Sequence, residues 1–153
     1  MRFSTHSTAG FLVGFASLHL IQASPVLMFA VLFGSIFPDL DLISSKPSRK
    51  LKHSAEVLST LFRHRGFLHS LWLPLGIILL STLFFPILLE LAIGFLAGYS
   101  THLLLDSFTR RGIHLFYPLK WPYLKGPLKT GGLIDMLLTF VFGIAAVLLA
   151  LLI

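Results

Sequence analysis

The chain is 153 residues long, 56% hydrophobic and only 12% charged, a balance too apolar for a water-borne domain of this size and suited to one membrane-embedded unit over residues 1–153. It contains no cysteine, which excludes disulfides and thiolate ligands; any metal must then be held by histidine and carboxylate, a donor set that favours zinc, manganese or a related ion over an iron–sulfur cluster. The formal net charge of +6 would suit nucleic acid in a soluble protein, but in a membrane protein Lys and Arg report orientation first.

Residues 7–23 are apolar and read as a retained first span. Only Arg2 precedes them, no convincing small-x-small cleavage site follows, and Ser24-Pro25 leads at once into a second apolar run. Gly10 and Gly14, four apart, would let a neighbouring helix approach closely. The second span, residues 26–37, is short against the ~20 residues needed to cross ~30 Å of hydrocarbon. It is expected to tilt or to end below the membrane surface, near Asp39 and Asp41. Pro38 should disfavour the α conformation at Phe37 and leave both aspartates on a turn or a distorted helix end.

Residues 44–62 are rich in Lys and Arg, with Leu51, Val57, Leu58, Leu61 and Phe62 loosely spaced, a pattern for a short amphipathic helix lying against anionic headgroups. The third span covers residues 71–85 and is interrupted by Pro74 and Gly76. Pro86 opens the fourth, which runs to about residue 105, and Gly94 and Gly98 predict close packing there. Residues 107–130 hold Pro118, Pro122 and Pro127 with Tyr117, Trp121 and Tyr123, which suits an interfacial loop rather than a helix. A fifth span follows over about 132–153. The expected fold class is therefore all-α: a polytopic membrane bundle of about five transmembrane helices with a short interfacial helix.

All Lys and Arg fall in three places: Arg2, the loop from Lys46 to Arg65, and the loop from Arg110 to Lys129. Charge asymmetry assigns these to the cytosol, so the N-terminus is inside, the C-terminus outside, and the protein a multi-pass component of the cytoplasmic (inner) membrane. That topology brings His6, Asp39, Asp41, His64, His69, His102 and Asp106 to one membrane face, although none of them was used to build it.

His102 and Asp106, four apart on a helix, project from one face and can hold one ion or a ligand with its orienting partner. The alternative is an ion pair of Asp106 with Arg65, Arg110 or Arg111. Asp39 and Asp41 can both offer hard oxygen donors to one site; alternatively they mark a helix C-terminus meeting the cytosol, where carboxylates oppose the macrodipole. His64 and His69 share a face only if Gly66 permits a bend between loop and helix. Arg65 beside them presents a fork for phosphate or carboxylate, and the plain alternative is a basic cluster on lipid headgroups. His6 is a ligand or a surface histidine. His19 is expected to be structural and bonded to a neighbouring helix, His53 and His114 solvated, Glu90 remote from the cluster, and Asp135 explained by its place at a helix N-terminus.

In order and spacing, Thr5-His6, Phe37-Pro38-Asp39-Leu40-Asp41, His64-Arg65-Gly66-Phe67-Leu68-His69-Ser70 and Gly98-Tyr99-Ser100-Thr101-His102-Leu103-Leu104-Leu105-Asp106, followed by Thr109, Gly112 and Tyr117-Pro118, resemble the YdjM-type family of predicted inner-membrane metal-dependent hydrolases, whose bacterial members include LexA-regulated ones. The likeness covers nearly the whole chain. Members often carry threonine where this chain has Leu68, a difference that removes a hydroxyl near the site. The family is distantly similar to the zinc-dependent phospholipase C and single-strand nuclease superfamily, in which His and Asp ligands, including a His-x-x-x-Asp pair, hold zinc ions that cleave phosphoesters. Fold likeness does not name a substrate.

The expected function is a membrane-bound metal-dependent hydrolase at the cytosolic face. His6, Asp39, Asp41, His64, His69, His102 and Asp106 would hold one or more zinc-like ions, which lower the pKa of water from ~16 towards ~7. Asp39 or Asp41 would take the proton, Arg65 would steady an anionic group, and the substrate would be a lipid-like phosphoester. The alternative is a non-catalytic membrane protein binding metal or anionic lipid, a transporter or assembly factor. Transport needs a polar path, and the outer parts of the spans offer mainly His19, Glu90 and scattered Ser and Thr. Nucleic acid is disfavoured as a partner because topology accounts for the basic loops.

Overall fold

The computed structural model describes residues 1–39 and 67–152. Asp41, His53, His64, Arg65 and the surface helix expected within residues 44–62 lie outside the described residues. Among those described are five α-helices: α1 Phe3–Leu20, α2 Pro25–Ile36, α3 Trp72–Phe84, α4 Leu89–Ser107 and α5 Leu133–Ala150. Among the described residues two apolar segments are long enough to cross a membrane, Pro86–Ser107 and Leu133–Ala150, while Pro25–Asp39 and Trp72–Phe84 are apolar but shorter. On α5, Leu137, Phe140, Val141, Ile144, Val147 and Leu148 are exposed, a continuous apolar surface of the kind water disfavours.

Local chemistry sets the helix ends. Ser24 caps α2, its hydroxyl accepting from Leu27 N at 3.1 Å, and Pro25 follows at the first helical position, where its missing N–H costs nothing. Pro74 does not interrupt α3, contrary to expectation. It lies in the first turn, where backbone N–H groups have no intrahelical acceptor in any case. Phe37 also departs from the expectation for a residue before proline: it keeps φ −55° and ψ −44°, and the chain tightens into a 3-10 turn, Phe37–Asp39. Asp39 thus sits on a distorted helix end, as expected, but by tightening rather than by leaving the helical region.

The helices run up and down. The starts of α1, α3 and α5 and the ends of α2 and α4 meet at one end, where Thr5 reaches Asp135 and the Met1 ammonium reaches Asp106. At the other end His19 Nε2 lies 2.9 Å from the Leu149 carbonyl of α5, and the Ser24 hydroxyl donates to Glu90. The structural role expected for His19 and the remoteness expected for Glu90 both hold.

The tightest contact is α2 against α4. A Cβ built on Gly98 would overlap the Val31 carbonyl oxygen, one on Gly34 the Phe95 carbonyl, and one on Gly94 would come within 2.7 Å of Leu27 O. Lipid offers no hydrophobic drive for helix association, so such backbone approach through small residues supplies the attraction. Gly10 of α1 leaves room for the Ser35 side chain of α2. Phe95, Tyr99, Leu103 and Ile113 form the main core, with Phe37, Leu71 and Ile77 packed against it.

The segment between α4 and α5 is more ordered than an interfacial loop. Ile113–His114 (β1) pairs antiparallel with Tyr123–Leu124 (β2), and Thr109 bridges to Leu128. His114 is not simply solvated, since its Nδ1 lies 3.1 Å from Lys120 O and its ring packs on Tyr123.

Candidate functional site

Five of the seven proposed ligands are described, and they converge. His6 lies in the first turn of α1 rather than ahead of it, because α1 begins at Phe3, earlier than expected. Asp39 comes from the turn after α2, His69 from the 3-10 turn Phe67–His69, and His102 and Asp106 from the last turns of α4. All five are buried. One ligand atom from each of His6, Asp39 and His102, and likewise from each of His69, His102 and Asp106, lies within 4.8 Å of the others in its set.

His102 is the member common to both sets, and α2 fixes its ring. The Ser35 carbonyl is among the last four of α2 and has no intrahelical donor; His102 Nδ1 lies 2.8 Å from it. A carbonyl only accepts, so the ring proton is on Nδ1 and Nε2 presents its lone pair, the arrangement in which a backbone acceptor orients a ligating imidazole. Among the described residues, His102 Nε2 and both ring nitrogens of His6 are buried without a hydrogen bond. Buried polar atoms normally find partners.

The spacings fit a shared cation. Asp39 Oδ1 is 3.8 Å from both His69 Nε2 and His102 Nε2, and His6 Nε2 is 3.3 Å from Asp106 Oδ1. Two ligands of one tetrahedral ion with bonds of ~2.1 Å stand about 3.4 Å apart, whereas 3.8 Å is too long for a hydrogen bond. The His6 and His102 rings stack at 3.7 Å, and His69 meets His102 edge-on at 5.4 Å. The same Asp106 oxygen that faces His6 accepts from the Met1 ammonium. Arg110, one of the expected partners of Asp106, instead donates through Nε to Pro127 O at 3.0 Å.

Two supporting groups were not anticipated. The Tyr99 hydroxyl, one turn before His102, donates to the Leu68 carbonyl and so ties the His69 turn to α4. Leu71 N, donating to Leu115 O at 2.8 Å, ties the other side of that turn to β1. Asp135 does more than favour its own helix N-terminus: it accepts from Thr5 Oγ1 at 2.5 Å, Gly131 N at 2.6 Å and Arg2 N at 3.2 Å, holding the turn of α1 that carries His6. The run of polar residues before His102 was a signal for Tyr99. Asp135 had none, because its local explanation was already sufficient.

Tyr99→Phe removes one buried donor and leaves the ring in place. It should lower apparent metal affinity by about tenfold, the lower end for groups that orient ligands, and cost about 1 kcal/mol of stability. Competitive chelator titration beside a thermal melt checks this, and an unchanged affinity would show that Tyr99 does not position His69.

Among curated proteins, YvsG of Bacillus subtilis (strain 168) is 33% identical over 115 residues, covering 74% of this chain and 71% of that protein. Inner membrane protein YdjM of Escherichia coli (strain K12) and that of Shigella flexneri are each 30% identical over 92 residues, 58% of this chain and 47% of theirs. The chain thus matches about half the length of the YdjM proteins. No solved structure matches. The family model described as YdjM inner membrane protein matches residues 1–153, and with a helical architecture that includes two membrane-length apolar helices, the chain belongs to the YdjM inner membrane protein family.

Proposed function

We propose that this protein is a multi-pass membrane hydrolase that uses zinc or a similar divalent ion to cleave a phosphoester, lipid-like in character, at the cytosolic face. The observation that carries the reading is the anchored His102: its Nδ1 is committed to Ser35, its Nε2 is buried without a hydrogen bond among the described residues, and His6, His69, Asp39 and Asp106 surround it. Five spans, with the N-terminus inside and the C-terminus outside, are supported by the up-and-down order of the helices and by the basic residues flanking the site end.

His6, Asp39, His69, His102 and Asp106 would hold the metal, with Asp41 and His64 completing the set. When bound, a divalent ion acidifies water and polarises an ester bond. Asp39 is the least buried of the five at 7% and so the best placed to take a proton from an entering water, with Asp41 beside it in sequence. Arg65 would steady an anionic group. A transport role is less supported. Among the described residues, the titratable groups at the far end are His19 and Glu90, each engaged by a neighbouring element.

Elemental analysis of the purified protein, with a phosphoester panel assayed with and without chelator, tests the proposal. Wild-type protein should carry divalent metal and show chelator-sensitive turnover, and Asp106→Ala should lose both. Full turnover by Asp106→Ala, or a protein that takes up no metal, would overturn it.

A further inference from the structure

Five of the twelve Lys and Arg residues and none of the carboxylates lie between Ser107 and Leu133. This stretch joins the two membrane-length helices, Pro86–Ser107 and Leu133–Ala150, at one end, so it sits where the bilayer ends. It is built as a fixed unit. Arg110 N donates to Leu128 O at 2.8 Å, Leu128 N to Phe108 O at 3.0 Å and Gly126 N to Thr109 O at 3.1 Å, outside the β1–β2 pair itself. A Cβ on Gly126 would overlap the Phe108 carbonyl, so the two arms cross closely.

Ile113 packs into the core, but the apolar side chains from Leu119 to Leu124 point outward. Trp121 is 82% exposed and Leu119 57%, with Tyr123 and Leu124 also exposed. Lys120 and Lys125, both exposed, are interleaved with them. An exposed tryptophan beside lysines is poorly placed in water and well placed at headgroup depth, where the ring meets the acyl boundary and the ammonium groups meet phosphate. The exposed faces of α3 and α5 carry no Lys or Arg and lack this alternation.

We infer that the β1–β2 unit is an interfacial docking surface for anionic phospholipid, with Leu119, Trp121 and Leu124 seated at the acyl boundary and Lys120 and Lys125 on the lipid phosphates. The unit is tied to the candidate site: Thr109 donates to the Asp106 carbonyl from N at 3.0 Å and from Oγ1 at 2.7 Å. The inference uses the membrane placement of the chain and is independent of the metal reading.

Trp72→Phe leaves Trp121 as the sole tryptophan. The full chain carrying it is placed in phosphatidylcholine nanodiscs containing equal fractions of brominated phosphatidylglycerol or brominated phosphatidylcholine. Trp121 emission should be quenched more by the brominated anionic lipid, and more by bromines near the headgroup than by bromines deep in the chain. Lys120→Gln with Lys125→Gln should bring the preference for the anionic lipid to within twofold of unity while quenching persists, since each lysine near the surface contributes roughly fivefold. Emission insensitive to both lipids, or equal quenching in the protein with both lysines intact, overturns the inference. So does lysine-dependent binding of single-stranded nucleic acid without lipid preference. If Trp72→Phe compromises folding, the difference between wild type and Trp121→Phe gives the same reading. Metal content measured on the same samples reports on the hydrolase proposal separately.

Discussion

Replacing His102 by alanine is expected to weaken divalent-metal binding by on the order of 100-fold or more, at least the upper end of what is lost when a group that merely orients a ligand is removed. His102 belongs to both candidate ligand sets, so its loss leaves two donors in each. The substitution also removes the ring against which His6 stacks and the donor to the Ser35 carbonyl. An unsatisfied buried carbonyl costs about 1–3 kcal/mol, so lower stability is expected too. His102→Gln separates the two effects: it keeps a side chain able to donate to Ser35 but presents no imidazole nitrogen to the cluster. The expected pattern is near-recovery of thermal stability in His102→Gln with metal binding still lost, read by elemental analysis after dialysis against a weak chelator. Wild-type metal content in both variants would exclude the cluster as the metal site.

Much of this site could be read from the sequence because lipid makes polar residues conspicuous. A histidine or aspartate at the end of an apolar run is costly unless partnered, and an up-and-down chain returns to the same face after every second helix. His6, Asp39, His69, His102 and Asp106 were recoverable on those grounds. The groups that aim them were less legible for definite reasons. The Ser35 carbonyl is backbone and carries no compositional signal. The Asp135 carboxylate sits in the first turn of α5, where a favourable interaction with the helix dipole accounts for it locally and conceals its bonds to Thr5 and Arg2. The β1–β2 pair is two residues per strand within a proline-rich stretch, too short for alternation to register. Pro38 and Pro74 misled for a common reason: a local preference against helix yielded where the neighbouring residues were already at a helix end.

Gly98→Ala should be among the most damaging single-methyl changes in the protein, and Gly76→Ala among the most benign. Both glycines are helical, and propensity alone would favour alanine at either by roughly 0.5–1 kcal/mol. Their surroundings differ. Nothing lies within 4 Å of a Cβ built on Gly76, whereas one on Gly98 would overlap the Val31 carbonyl oxygen and come within 2.8 Å of Ser35 N. Both obstacles are backbone atoms of α2, which cannot rotate aside, so the helices themselves must part at a cost of about 3 kcal/mol, the upper end for overpacking. For a chain of this size that is a fall of roughly 10 °C in thermal midpoint. Separation of α2 from α4 would also draw the Ser35 carbonyl away from His102 Nδ1 and Asp39 away from His102 Nε2, so metal binding should weaken with stability. Gly76→Ala should melt at or slightly above the wild-type temperature with its metal intact. Equal midpoints for the two variants would mean that the α2–α4 contact is not the tight backbone interface on which the geometry of the cluster depends.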